Sequence, residues 1–162
     1  MKIVIGTEKD INSDRFGYGI EILSRQTQVY RQDTIESKDL VEVQLSAAYD
    51  AMLHIPSVKN DTTLAFFVEP ESVKLLQDEK SDNPIYSSYL DKIFDIAKMN
   101  NYKLVAFDIS QHRGCDIYSR YKTAKAIASH YSSISTNRPI YSTRSIPTKG
   151  CLLYTSPSPR DS

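Results

Sequence analysis

The chain has 162 residues, which is room for one ordinary domain with its own core. Hydrophobic residues make up 40% and charged residues 25%, the proportions of a globular protein. The 20 basic and 20 acidic side chains cancel, which excludes any partner held by overall charge, so only a local basic patch could serve nucleic acid or a membrane surface.

In chain order, "KIVI" is a short apolar run ending at Gly6 and predicts the first strand. "GYGIEIL", opened by Gly17 and Gly19, and "TQVYRQD" follow at short spacing, as in an antiparallel meander. From Lys38 to Leu53, Val41, Leu45, Ala48 and Met52 recur at helical spacing, one buried stripe, with Ser37 as the expected N-cap and His54 as a C-terminal capping residue. "TLAFFVE" is apolar on both faces, like a central strand covered on two sides. Pro70 then suits the first turn of a short helix through Leu76.

Asn83 and Pro84 open a further helix, in which Tyr86, Leu90, Ile93 and Ala97 repeat the helical spacing. Asn100 and Asn101 stop it, and "YKLVAFDI" predicts a second central strand. In "QHRGCDIYSRYKTAKAIASHY" a His-Arg-Gly turn runs into a closing helix. That helix carries Ile117, Tyr121, Ala124, Ala128 and Tyr131 on one stripe and Lys125 at the edge of the stripe. The order βββαβααβα has no internal repeat and predicts an α/β fold, a mixed five-stranded sheet with helices packed on it.

Residues 1–131 are expected to form the domain. Residues 132–150 are rich in Ser, Thr and Pro and carry Arg138, Arg144 and Lys149 with no acid, a composition that suits a flexible basic extension. The last twelve residues, "CLLYTSPSPRDS", resemble a translated sequencing-library adapter, so residues 151–162 are read as an artefact of an environmental read and the natural C-terminus as truncated. Cys115 and Cys151 have no second Cys or His at ligand spacing, which argues against a zinc site or a disulfide framework. The apolar run near Met1 is too short for a signal peptide and no membrane-spanning run occurs, so the expectation is a cytoplasmic protein with no membrane partner.

Four local matches in this order resemble the ribonuclease H-like superfamily over residues 1–131. They are "IVIGTEKD" followed by "GYGIEIL", then "EVQLSAAYDAML", "FFVEPESVKLL", and "ISQHRG" followed by "YKTAKAIA". The resemblance implies a site of four carboxylates at the ends of two neighbouring strands and on two helices, holding two magnesium ions about 4 Å apart around a phosphodiester. The matching positions here are Gly6, Gln44, Glu69 and Lys125: no side chain, a neutral amide, one acid, and a cation where a metal ligand would sit.

The resemblance therefore implies a degenerate site with no metal, in a domain that binds nucleic acid or acts as a scaffold. Lys125, His112, Arg113 and Arg120 are the expected nucleic-acid contacts, whether the ligand is RNA, DNA or a hybrid. The alternative is an active nuclease using Mg2+ or Mn2+ on displaced carboxylates, with Glu8 reaching in from a loop after the first strand to join Glu69. Glu42 is expected to face away from the sheet and Asp116 to lie too far along its helix. If Lys125 instead met Glu69 in a cleft, a salt bridge would stand in for the metals.

Other readings of the same residues are plainer. Lys122 lies opposite the stripe and suits a solvated face, and most of the 11 tyrosines suit packing, although they would also suit a protein partner. Cys115 and His112 could be imagined as a nucleophile pair, but nothing supplies an orienting group or an oxyanion site.

Overall fold

The computed structural model describes residues 1–10, 13–24, 28–37, 39–56 and 62–132. The expected extension beyond Ser132, the adapter-like tail and Cys151 lie outside the described residues. Five strands form one sheet in the order β3-β2-β1-β4-β5, with β1 (Lys2–Lys9), β2 (Arg15–Leu23), β3 (Gln28–Glu36), β4 (Thr63–Val68) and β5 (Lys103–Asp108). The first three are an antiparallel meander, and β1, β4 and β5 run parallel. The helices are α1 (Leu40–Leu53), α2 (Pro70–Asp78), α3 (Pro84–Asn100) and α4 (Asp116–Ser132), so the order is the predicted βββαβααβα with one 3₁₀ turn, Ile109–His112, added before α4.

The ends follow from local chemistry. Asn83 accepts from the backbone N–H of Ile85 and of Tyr86 at the start of α3, and Asn101 closes that helix in the left-handed region at φ 56°. Pro70 opens α2 where its missing N–H costs nothing. At α1 the cap is Asp39 and not the expected Ser37: its carboxylate accepts from the Val41 N–H, while Ser37 Oγ accepts from Asp39 N and donates to Glu42 Oε1 at 2.6 Å. Glu42 is thereby held in the first turn of the helix. The Tyr86 hydroxyl donates to Asp39, a bond that pushes the phenol up to about 12 and ties α3 to the start of α1. His54 is the C-cap of α1, as expected.

Strand alternation sends successive β1 residues to opposite sides of the sheet. Ile3 and Ile5 join Val43, Leu45, Ala48, Leu90, Ile93 and Ala97 in the main core under α1 and α3. Val4 joins Phe67, Ile109, Ile117 and Tyr121 in a second, smaller cluster under α4. The predicted stripes of α3 and α4 are the buried ones, except that Tyr86 is half-buried and the Tyr131 side chain is outside the described residues. No helix among the described residues is long and apolar enough to cross a membrane.

β1 and β2 are longer than predicted. Their pairing continues through Lys9 opposite Phe16, so Gly17 and Gly19 lie inside β2 instead of opening it. Glu8, expected on a loop, is part of β1.

Candidate functional site

β1 and β4 are paired with Val4 opposite Phe67. Continuing that register brings Glu69 level with Gly6, and Glu8 lies one pleat further along β1 on the same face as Gly6. α4 crosses this end of the sheet at unusually close range. A Cβ added to Gly6 would stand 2.4 Å from the Lys125 backbone nitrogen, and one added to its cross-strand partner Gly19 would stand 2.4 Å from the Ala124 carbonyl oxygen. Two facing glycines therefore let the helix backbone lie on the strands, and this contact delivers Tyr121 and Lys125 to the carboxyl ends of β1 and β4.

The Tyr121 hydroxyl donates to Glu69 Oε2 at 2.9 Å. Lys125 Nζ lies 3.7 Å from Glu8 Oε2 and 6.0 Å from the centre of the Tyr121 ring. Burial, then the bond to Glu69, then the charges of Glu69 and Glu8 push the Tyr121 phenol well above its usual range, so it stays a donor. Tyr121 is flanked by two carboxylates, each engaged by a side chain of α4. Lys125 and Glu8 are 42% and 40% exposed, so their attraction is screened by water.

On the opposite side of the sheet, Gln44 of α1 is fully buried and accepts from Ser72 Oγ at 2.5 Å. The β1 side chain on that face at this end is Thr7, also buried, and both Thr7 Oγ1 and Gln44 Nε2 lack a hydrogen-bond partner. Among the described residues, no three His, Cys, Asp or Glu side chains gather closely enough to hold a metal ion.

No family model and no curated protein matches the sequence. The structure, however, is similar to the N-terminal RNase H domain of a Mycobacterium tuberculosis protein solved as a fusion with maltose-binding protein, with TM-score 0.55, 14% identity, and coverage of 81% of this chain and 93% of that one. The fold is ribonuclease H-like. An RNase H from the halophilic archaeon Halobacterium salinarum also matches, at TM-score 0.49 and 14% identity over 80% of this chain and 95% of that one.

On this ribonuclease H-like frame the four positions matched from sequence are divided between the two faces. Gly6, Glu69 and Lys125 meet α4's side, whereas Gln44 belongs to the α1 side and is bound to the first turn of α2. Lys125 meets Glu8, not Glu69, because Tyr121 one turn earlier on α4 occupies Glu69. Glu8 reaches the site from within β1, since strand pairing runs past the point where the apolar pattern stops.

The expected nucleic-acid contacts are not equivalent. Arg120 Nη1 lies 3.3 Å from Glu21 Oε2, and Glu21 is buried, so this arginine is engaged as the counter-ion of a buried acid and not as a free cation. Burial raises the Glu21 pKa, and Arg120, the next largest influence, works against that rise. His112 packs its ring edge-on against Phe67, 5.3 Å between centres, and its Nδ1 lies 3.0 Å from the Asp108 carbonyl, which makes that nitrogen the donor. Arg113 and Lys122 flank the Tyr118 ring at 5.9 Å and 5.7 Å. Cys115 is exposed, and its backbone N–H donates to the His112 carbonyl.

Sequence reasoning missed the Tyr121–Glu69 bond and the Glu21–Arg120 pair. Alternation in "GYGIEIL" places Glu21 on the Gly19 face, which was a readable sign of an acid under α4.

Proposed function

We propose that this ribonuclease H-like domain binds nucleic acid and does not cleave it by a two-metal mechanism. The observation that carries this reading is the engagement of both nearby carboxylates by α4. Glu69 accepts from Tyr121, and Glu8 faces the Lys125 ammonium at 3.7 Å. Two divalent cations need several hard anionic oxygens free to ligate. Here the remaining matched positions are a glycine under a helix backbone and a buried neutral amide, so the donor set does not fit such a centre. A half-exposed ammonium at the same place suits direct contact with a phosphate, with no cofactor required.

A second reading has one observation in its favour: Glu69 and Glu8 meet neighbouring side chains of α4, Tyr121 at 2.9 Å and Lys125 at 3.7 Å, so two carboxylates converge on one turn of that helix. If Tyr121 and Lys125 swing aside, those acids become the displaced ligands of a Mg2+- or Mn2+-dependent nuclease.

The deciding experiment incubates the protein with a labelled RNA–DNA hybrid and with single-stranded RNA, with and without magnesium or manganese, scoring gel retardation and cleavage together. Retardation without cleavage is the expected result. Metal-dependent cleavage that Glu69→Gln abolishes would overturn the reading in favour of the nuclease. Neither retardation nor cleavage would leave a scaffold role, with a protein as partner.

A further inference from the structure

We infer that the face of β4 and β5 beside α4 is a stacking platform for the unpaired bases of single-stranded nucleic acid, with Phe107 as its open ring. This deepens the nucleic-acid reading above and rests on it. α4 lies across β1 and β2 and reaches β3, on the side of the sheet away from β5. Phe67 of β4 still packs against Ile117 and Tyr121 of α4, but among the described residues no helix covers the β5 edge of that face. Phe67 and Phe107 are cross-strand partners there, with ring centres 5.2 Å apart and planes at 24°. Phe67 is buried, but Phe107 is 40% exposed.

Phe107 also packs against two neighbouring rings. Phe67 stacks on it, and His112 meets it edge-on at 5.9 Å, with the histidine itself fixed by the Asp108 carbonyl. A packed ring loses less conformational freedom than a free one when a base stacks on it. The same rim carries cations on aromatic partners. Arg113 and Lys122 both lie over Tyr118, whose ring is 5.5 Å from that of Tyr121.

Open aromatic surface bordered by cations that can follow a phosphate backbone is what sequence-tolerant single-strand binding requires. Three of the nearby acids are otherwise engaged, while Asp78 shares a cleft with Phe107 and Lys74. The Asp108 carboxylate accepts from the Ser110 backbone N–H and hydroxyl, Glu69 accepts from Tyr121, and Asp116 lines a separate cleft with Lys2 and Arg120. A base inside a duplex has both faces covered by its neighbours, so the platform selects unpaired strands.

The chain has no tryptophan, so Phe107→Trp introduces a single fluorophore at the platform. Titration of that variant with a short oligouridylate is expected to quench its emission. Phe107→Ala is expected to weaken oligouridylate binding by about fivefold to a hundredfold while leaving a blunt hybrid duplex unaffected. Phe107→Leu, which keeps an apolar side chain without a π-face, should lose nearly as much and serves as the control for folding.

If the wild-type protein retards oligouridylate but the alanine variant binds equally well and emission does not change, the platform is refuted and the nucleic-acid reading stands. If the wild-type protein retards no nucleic acid, both fall together. If Phe107→Ala changes only the sedimentation of the protein, the face is a contact between copies, which also refutes the platform.

Discussion

The space that a side chain at Gly6 would need is occupied by the backbone of Lys125: a Cβ on Gly6 would stand 2.4 Å from the Lys125 nitrogen and 2.8 Å from its Cα. Backbone in the middle of a helix cannot give way as a flexible side chain can. The missing carboxylate at residue 6 is therefore coupled to the seating of α4. Gly6→Ala should already destabilise the domain, and Gly6→Asp should cost about 3 kcal/mol or more, because α4 must lift off β1 and β2 together. Urea denaturation of the two variants checks this. An aspartate accepted at a cost below about 1 kcal/mol would mean that α4 does not lie against the strand in solution.

Lys125 and Glu8 form a half-exposed pair, so breaking it should move stability by less than about 1 kcal/mol. Binding should respond more clearly. Glu8→Gln releases the ammonium and should raise nucleic-acid affinity and steepen its salt dependence. Lys125→Gln should do the reverse, flattening the slope of log affinity against log salt by about 0.7 to 0.9, the share of one phosphate contact. Glutamine is preferred to glutamate at Lys125 because a third carboxylate beside Glu8 and Glu69 could itself attract a metal. Affinity and slope unchanged in both variants would remove Lys125 from the interface.

Asp50 gathers three elements. It accepts from the Tyr18 hydroxyl of β2 at 2.7 Å and lies 2.9 Å from Arg31 Nη2 of β3 and 3.0 Å from His54 Nδ1 at the end of α1. Burial, followed by the charge of Asp50, pushes the Tyr18 phenol above its usual range, which keeps Tyr18 the donor to Asp50. Asp50→Asn removes the charge that Arg31 faces and should cost about 3 kcal/mol, read as a lowered denaturation midpoint. A loss below about 1 kcal/mol would mean that water replaces the carboxylate easily.

Glu21 gives a pH dependence of defined sign. Its pKa is raised by burial above the ordinary 4.5, so the folded state holds a proton that the unfolded state releases. Its stabilising contribution is present below about pH 4.5 and is lost as the pH rises through the folded value. Glu21→Gln cannot ionise, so the variant should gain stability relative to the wild type as pH is raised from 4.5 toward neutrality. Denaturation midpoints of both proteins across that range check it. A variant that instead loses ground with rising pH would show that pairing with Arg120 outweighs the cost of burial.

Much of the frame was legible because its signals are local. The helical stripes of α3 and α4, the β4 strand apolar on both faces and the Asn83 and Asn101 caps each follow from spacing or from one side chain meeting its own backbone, whereas β5, expected as a second central strand, is the edge strand of the sheet with Phe107 exposed. The boundaries were less legible. β1 and β2 continue through polar residues because each strand supplies the other's hydrogen bonds, and Asp39 caps α1 because Ser37 is engaged with Glu42.

The sequence by itself determined the order of the elements, the α/β class, the ribonuclease H-like resemblance and the unusual Lys125 beside a buried stripe, since periodicity and turn chemistry act over a few residues. Only the tertiary structure decided that Lys125 meets Glu8, that Tyr121 takes Glu69, that Arg120 serves Glu21, and that Gln44 lies across the sheet from Gly6. Those partnerships depend on strand register and on the height of α4 above two glycines. One residue of register turns every side chain of a strand to the other face, so a contact between residues 52 or 99 positions apart is set by packing and by no local pattern.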